Sequence, residues 1–319
     1  MRILSRTHLD RLPLILFLMT MIMLIGIPSC AFNTTTPLPT TQPSGATQAA
    51  TSGSPISPVS APVSPPALPT LKAQPTLPAK LTQPLAEYTI NNGMRADFVH
   101  LPFYALLTWT GITWDGGDYI WIINNELKAI AGFNIATGVS DRLVAFPSDV
   151  AETPTMTGLT WDGSNFWVSD VRNKMIYQID LLSGKRGDSF SYDGTPNGLD
   201  WANDGLWVLS KDRSAIEQVT PTGERQSSLP VESSWPSGLA WDGEYFWFSD
   251  AHEGTISILN PRTGKSKKLD EIKFLANPAT FNGLAWMNGY LWIATEGDER
   301  LHRFDVSQLD WEALQADLQ

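Results

Sequence analysis

The chain has 319 residues, 42% of them hydrophobic, a formal charge of −11 and one cysteine. An acidic balance of that size argues against gripping nucleic acid or an anionic lipid surface through a basic patch. A single cysteine excludes an intrachain disulfide and any fold that depends on one.

The first thirty residues read as a processing segment. Arg2, Arg6 and Arg11 precede an almost wholly apolar run from Leu12 to Ile27, the layout of an export signal. The run is short of the roughly 20 apolar residues that a spanning helix needs. It ends in Ile27-Pro28-Ser29-Cys30, which resembles the lipobox of bacterial lipoproteins. That resemblance implies a signal peptide over 1–30, a lipid on Cys30 and attachment to a membrane. Ala31 stands where an aspartate would signal inner-membrane retention, so the expectation is an exported protein in the cell envelope, facing outward. Losing Arg2, Arg6, Arg11 and Asp10 takes the charge to −13.

Residues 31–84 are mostly Pro, Thr, Ser, Ala and Gln, with 12 of the 23 prolines and only Lys72 and Lys80 charged. Such a stretch buries too little apolar surface to fold and reads as an extended, disordered stalk. The rest, 85–319, has the size of one large domain.

That domain is repetitive. Gly111-Ile-Thr-Trp114, Gly158-Leu-Thr-Trp161, Gly198-Leu-Asp-Trp201, Gly238-Leu-Ala-Trp241 and Gly283-Leu-Ala-Trp286 recur at intervals of 47, 40, 40 and 45 residues. A second tryptophan follows each: Trp121, Trp167, Trp207, Trp247 and Trp292, so ten of the 13 tryptophans fall in two columns. Each unit runs through an apolar strand, an Asp-Gly or Asn-Gly turn, and a second strand apolar on both faces. An alternating third strand, a Thr/Ser-Gly turn and a polar fourth strand complete it. In the third copy the first turn shifts to Asn203-Asp204-Gly205 and is expected to be slightly longer. Four strands in about 40 residues, repeated, is the pattern of a β-propeller blade. The column tryptophans are accordingly expected to pack between blades.

Five copies predict five blades and an all-β chain. The last copy holds only three strands, whereas Arg95 to Pro102 precedes the first Gly-Ile-Thr-Trp as an orphan. Pairing of this N-terminal strand with Leu301 to Phe304 would close the ring and leave no bare edge. Leu309 to Gln319 reads as a short amphipathic C-terminal helix.

Motifs for chemistry are sparse: no Gly-x-Ser-x-Gly, P-loop or dinucleotide fingerprint occurs. The repeat register offers a better lead. The residue before each column glycine is Thr110, Thr157, Asn197, Ser237 or Asn282, and the residue three past each second tryptophan is Asn124, Asp170, Ser210, Asp250 or Thr295. Both sets are small and polar in otherwise apolar strands. They are expected at one end of the ring, lining a pocket for a polar ligand or a divalent cation such as Ca or Zn. Strand and turn capping would select the same residue types.

Gly158-Leu-Thr-Trp-Asp-Gly-Ser-Asn-Phe-Trp-Val-Ser-Asp170 and Phe281-Asn-Gly-Leu-Ala-Trp-Met-Asn-Gly-Tyr-Leu-Trp292 resemble repeats of the glutaminyl cyclases (glutamine cyclotransferases), and the resemblance covers 95–308. It implies a five-bladed propeller and closure of an amino-terminal glutamine into pyroglutamate, which needs a carboxylate to move a proton. The family's Phe-Thr-Gln-Gly-Leu motif reads Thr108-Trp109-Thr110-Gly111-Ile112 here, and the glutamate expected after it becomes Asn124 or Asn125, with Glu126 the nearest acid. A further glutamate is replaced by Gly283. Pro196-Asn197-Gly198-Leu199 is similar to a metal-ligand segment of gluconolactonase-type propellers, which implies a cation near Asn197, Asp170 and Asp250. The reading that follows is a binding or scaffold module for a small molecule, peptide or envelope protein, expected to show no strongly shifted carboxylate. A cyclase-like acyltransferase and a metal-dependent lactonase-like hydrolase are the alternatives.

Overall fold

The computed structural model describes residues 86–89, 94–100, 109–150, 155–269, 281–295 and 300–319. The expected signal peptide, Cys30 and the stalk lie outside the described residues. Strands β1 (Ala86–Thr89) and β2 (Arg95–His100) come first. Four-stranded antiparallel sheets follow, beginning with blade 1: β3 (Trp109–Trp114), β4 (Tyr119–Asn124), β5 (Ala129–Asn134) and β6 (Val139–Ala145). Blade 2 holds β7 (Met156–Trp161), β8 (Asn165–Asp170), β9 (Met175–Asp180) and β10 (Arg186–Ser191). Blade 3 comprises β11 (Pro196–Ala202), β12 (Gly205–Ser210), β13 (Ala215–Val219) and β14 (Arg225–Pro230). β15 (Pro236–Trp241), β16 (Phe246–Asp250), β17 (Thr255–Leu259) and β18 (Ser266–Leu269) make blade 4. Blade 5 has β19 (Phe281–Met287), β20 (Tyr290–Thr295) and β21 (Arg300–Asp305) from the C-terminal end. The chain is an all-β, five-bladed propeller.

Closure follows the expected register. β2 pairs antiparallel with β21, placing Ala96 opposite Phe304 and Val99 opposite Leu301. The Arg303 guanidinium fastens this seam by donating from Nε to Asp97 Oδ1 at 2.8 Å. β1 adds a fifth strand outside β2, which the sequence reading did not anticipate. Helix α1 (Trp311–Leu318) is capped by Asp310, and it buries Leu314 and Leu318 against blades 4 and 5.

Why these residues stack into a ring is visible in the core. Five apolar clusters each join the facing sides of two neighbouring blades; Trp167, Ile176 and Phe190 meet Leu199, Leu206 and Val208, for example. The second-column tryptophans lie in these interfaces and are buried. The first-column ones are only partly buried, and two lie face to face with a buried indole of the preceding blade: Trp201 on Trp167 at 6.3 Å and Trp286 on Trp247 at 6.1 Å. Inter-blade packing is therefore what the two columns do, as expected.

The column glycines have a sharper reason. A Cβ on Gly111 would lie 2.6 Å from the Leu159 nitrogen, and one on Gly238 would lie 2.8 Å from the Leu284 nitrogen. The innermost strands approach backbone to backbone, and only glycine leaves the room.

Turn chemistry departs from expectation once. Asn203 and Asp204 both take positive φ, 52° and 56°, and join β11 to β12 as a two-residue hairpin. The third copy thus has a short turn, because two consecutive left-handed residues close the hairpin with Gly205 already in the strand.

Candidate functional site

Each innermost strand carries a β-bulge where it begins, between Trp109 and Ile112, Met156 and Leu159, Pro196 and Gly198, Pro236 and Leu239, and Phe281 and Gly283. The residue before each column glycine sits in that bulge. The residue that pairs with the strand's first position comes from the end of the second strand: Asn124, Asp170, Ser210, Asp250 and Thr295. Both polar sets therefore occupy one end of the ring, here called the rim.

The bulge set makes a directional girdle. Thr110 Oγ1 donates to the Met156 carbonyl at 2.8 Å and Thr157 Oγ1 to the Asn197 carbonyl at 3.0 Å. Asn197 Nδ2 donates to the Pro236 carbonyl at 2.6 Å, and Ser237 Oγ to the Phe281 carbonyl. Asn282 Nδ2 closes the circuit on the Trp109 carbonyl at 3.3 Å. Every bond runs from one blade to the next. The donors are thereby committed, while Asn197 Oδ1 and Asn282 Oδ1 accept no hydrogen bond among the described residues. Asn125 joins the girdle, donating to the Met156 carbonyl at 2.8 Å and accepting from the Met156 amide at 2.9 Å.

The second set divides in two. Asp250 Oδ2 accepts from Ser233 Oγ, the Ser234 amide and the Trp235 amide at 2.7–2.9 Å, while Oδ1 accepts from the His252 and Glu253 amides at 2.8 Å. Burial works against the charged form, but the Ser233 hydroxyl and the three amides of Glu253, Trp235 and His252 outweigh it and hold Asp250 down to about 2. Asp170 likewise caps the Arg172 and Asn173 amides and takes the Asn173 side-chain amide at 2.7 Å. Asn124, Ser210 and Thr295 are buried, and Asn124 Nδ2, Ser210 Oγ and Thr295 Oγ1 have no partner among the described residues. Asn124 Oδ1 accepts from the Leu127 amide at 2.8 Å. Glu126 lies exposed in the following turn.

Of the three expected cation ligands, Asn197 keeps an Oδ1 that accepts no hydrogen bond among the described residues. Each oxygen of Asp170 and Asp250 is already held by hydrogen-bond donors of the neighbouring turns. Among the described residues no group of three or more His, Cys, Asp or Glu is placed to hold a metal.

One acid the sequence reading passed over is Asp200, the variable position in Gly198-Leu-Asp-Trp201. Its Oδ1 accepts from Thr160 Oγ1 of blade 2 at 3.3 Å and from its own neighbour's Trp201 amide at 2.8 Å, and its Oδ2 accepts from the Trp241 amide of blade 4 at 2.5 Å. A side chain on an innermost strand that touches both flanking blades must lie toward the ring axis. Enclosure by protein pushes its carboxyl up to about 7, against the lesser pull of the two amides and the threonine. The expectation that no carboxylate would be strongly shifted is therefore corrected. The cause is a charged group where the other copies place Thr113, Thr160, Ala240 and Ala285.

A second feature invisible in the motif is the acceptor for the buried indoles. Trp121, Trp167 and Trp247 donate from Nε1 to the turn aspartates Asp115, Asp162 and Asp242 at 3.0, 2.8 and 2.7 Å. The aspartate of each Asp-Gly turn thus shapes the hairpin and satisfies the core at once. In the fifth copy Met287 follows the first tryptophan and a two-residue Asn288-Gly289 turn joins β19 to β20, and Trp292 Nε1 has no hydrogen-bond partner among the described residues.

No family model matches the sequence, and no curated protein matches it. Among solved structures, glutaminyl cyclase from Myxococcus xanthus superposes with a TM-score of 0.54 at 14% identity, over 65% of this chain and 94% of that one. Virginiamycin B lyase from Staphylococcus aureus gives 0.42 at 18% identity over 62% and 66%, and a streptogramin B lyase gives 0.44 at 12% over 65% and 96%. The first likeness shows a shared propeller fold; the other two are too loose to support an argument.

Proposed function

We propose that this chain is a lipid-anchored, extracytoplasmic binding propeller whose ligand seats on the rim. The observation that carries the reading is the direction of the girdle. All five bulge side chains donate to the next blade, and what Asn197 and Asn282 retain for a ligand is acceptor oxygen. A ligand rich in N–H or O–H donors is the complement of such a surface. Asp250 favours recognition over catalysis: a carboxylate held near 2 by five donors is a poor carrier of protons at neutral pH. Cys30 would hold the protein to the membrane and residues 31–84 would lift the ring outward, toward a small molecule, peptide or envelope protein.

The test uses thermal shifts of the full chain against amines, amino-acid amides, short peptides and polyols, repeated on Asn125→Ala. A donor-rich compound should raise the melting temperature of the parent and do so far less in the variant; equal shifts in both would remove the rim from the account. Metabolic labelling with radioactive palmitate, present in the parent and lost in Cys30→Ala, checks the anchor.

Asp200 favours a second reading, a cyclase-like acyltransferase. A carboxyl poised near 7 toward the axis is the type of group that moves a proton between an attacking amine and a leaving amide. Release of ammonia from a glutamine-initiated peptide, lost in Asp200→Asn, would support it; silence of the parent protein would end it.

A further inference from the structure

At the end of the ring opposite the rim, between blades 4 and 5 and beside α1, lies a cavity of about 540 Å³. Its walls carry the aromatic side chains Tyr245, Trp286, Tyr290 and Trp311, and the carboxylates Asp242, Glu244 and Asp305. No lysine, arginine or histidine lines it. Two positive charges meet the walls from outside: Arg262 pairs with Glu244 at 3.4 Å, and Arg303 lies over the Tyr290 ring at 4.2 Å while bound to Asp97.

We propose that this cavity binds a small organic cation of the quaternary-ammonium type. Aromatic rings attract a cation through their negative faces, and nearby carboxylates reinforce the field. Trp286 is held ready for this, with its ring stacked on the buried Trp247 at 6.1 Å and part of its surface still accessible. Trp311 is fixed by an Nε1 hydrogen bond to the Val306 carbonyl at 2.9 Å and packs near Tyr245 at 6.0 Å. Asp242 accepts from the Glu244 and Tyr245 amides and from the Trp247 indole. Asp305 Oδ1 accepts from the Ser307 amide at 2.9 Å and Glu244 Oε1 is shared with Arg262, while Asp305 Oδ2 accepts no hydrogen bond among the described residues. The site offers negative charge set among apolar faces, and its four rings suit the methyl groups of a quaternary ammonium, which needs no hydrogen bond.

The probe is choline, titrated into the full chain and followed by saturation transfer to its methyl protons. Its neutral carbon isostere, 3,3-dimethyl-1-butanol, is run alongside. Saturable choline binding is expected, with the isostere at least tenfold weaker. Glu244→Gln, a change at an exposed residue, should weaken choline several-fold and leave the isostere unmoved. Trp286→Ala should abolish binding; if that variant loses its fold, Trp286→Phe, weakened but present, serves instead. Equal binding of choline and isostere would reduce the cavity to an apolar cleft, and absence of saturable choline binding would overturn the proposal outright. Asn125→Ala at the rim should leave choline binding unchanged, which separates this site from the one proposed above.

Discussion

Replacing Asp200 by asparagine should shift the propeller's stability, relative to the parent, in the favourable direction as pH rises from acid to alkaline. The carboxyl titrates near 7 in the folded ring against 3.8 for the ordinary group. The folded state thus holds the proton more tightly than the unfolded chain does. The penalty for carrying a charge there is absent below pH 3.8, grows by about 1.4 kcal/mol per pH unit, and is complete above pH 7. At pH 8 it amounts to about 4 kcal/mol as an upper bound, because part of the side chain keeps contact with solvent. Asparagine carries the neutral state to every pH, but both carboxyl oxygens accept from backbone amides and its NH2 group cannot, so a constant loss of about 1–2 kcal/mol is superimposed. Urea denaturation of both proteins at pH 4.5 and pH 8 measures the difference directly. A stability difference, variant minus parent, that is about 2–3 kcal/mol more favourable at pH 8 than at pH 4.5 is expected. A difference that does not change with pH would refute the idea that enclosure toward the axis raises this carboxyl.

Three further outcomes test the frame. Gly238→Ala places a methyl against the Leu284 nitrogen and the Gly283 carbonyl carbon, neither of which is a side chain able to turn aside; a loss of about 3 kcal/mol in denaturant melts is expected. Asp250→Ala removes a carboxylate whose pKa lies about 2, below the ordinary 3.8. The charge-dependent part of its contribution, about 2 kcal/mol, is present above pH 3.8 and fades as pH falls through 2, so the variant's deficit should be largest at pH 7 and shrink in strong acid without vanishing, because alanine leaves the donors of Ser233, Ser234, Trp235, His252 and Glu253 without their acceptor. Asn288→Asp puts a carboxylate one residue later in the repeat than Asp115, Asp162 and Asp242, on a left-handed turn residue, so it should leave Trp292 Nε1 unpaired and shift stability by less than about 1 kcal/mol; a larger gain in denaturant melts would show that the new acid reaches the indole.

The sequence reached the architecture because the physical demands of a propeller recur every blade. Gly158 and Gly238 must admit a neighbouring backbone, Trp167 and Trp247 must fill an interface, and the ring must be closed by a strand from the other end of the chain. Each demand leaves the same residue at the same register. The site was less legible for the same reason. Thr110, Thr157, Asn197, Ser237 and Asn282 are small and polar whether they meet a ligand or the next blade, and only the bulge geometry shows that their donors point along the ring. Asp200 was hidden differently. Position x of Gly-Leu-x-Trp is Thr, Thr, Asp, Ala and Ala, so nothing in the repeat marks a lone acid there. Its partners are 40 and 41 residues away, one repeat on each side, which no local pattern reveals.

The two ends of the ring are secured by different devices, and that difference locates the seam. At the rim, side chains donate to carbonyls across all five interfaces. At the other end, turn aspartates accept from indoles in blades 1, 2 and 4, and blade 3 uses the Ala202 carbonyl at 3.2 Å instead. Blade 5 lacks this bond, and it is also the blade assembled from both ends of the chain. What braces it is the C-terminal helix. Asn260 Nδ2 and Thr263 Oγ1 of blade 4 donate to the Leu318 carbonyl at 3.1 and 2.7 Å, and Leu314 and Leu318 cover the apolar joint. The helix that braces blade 5 against blade 4 also raises a wall of the acidic aromatic cavity. A cation bound there would bridge blade 4, blade 5 and α1 on one side of the blade that is assembled from both ends of the chain, so ligand binding would favour the closed ring.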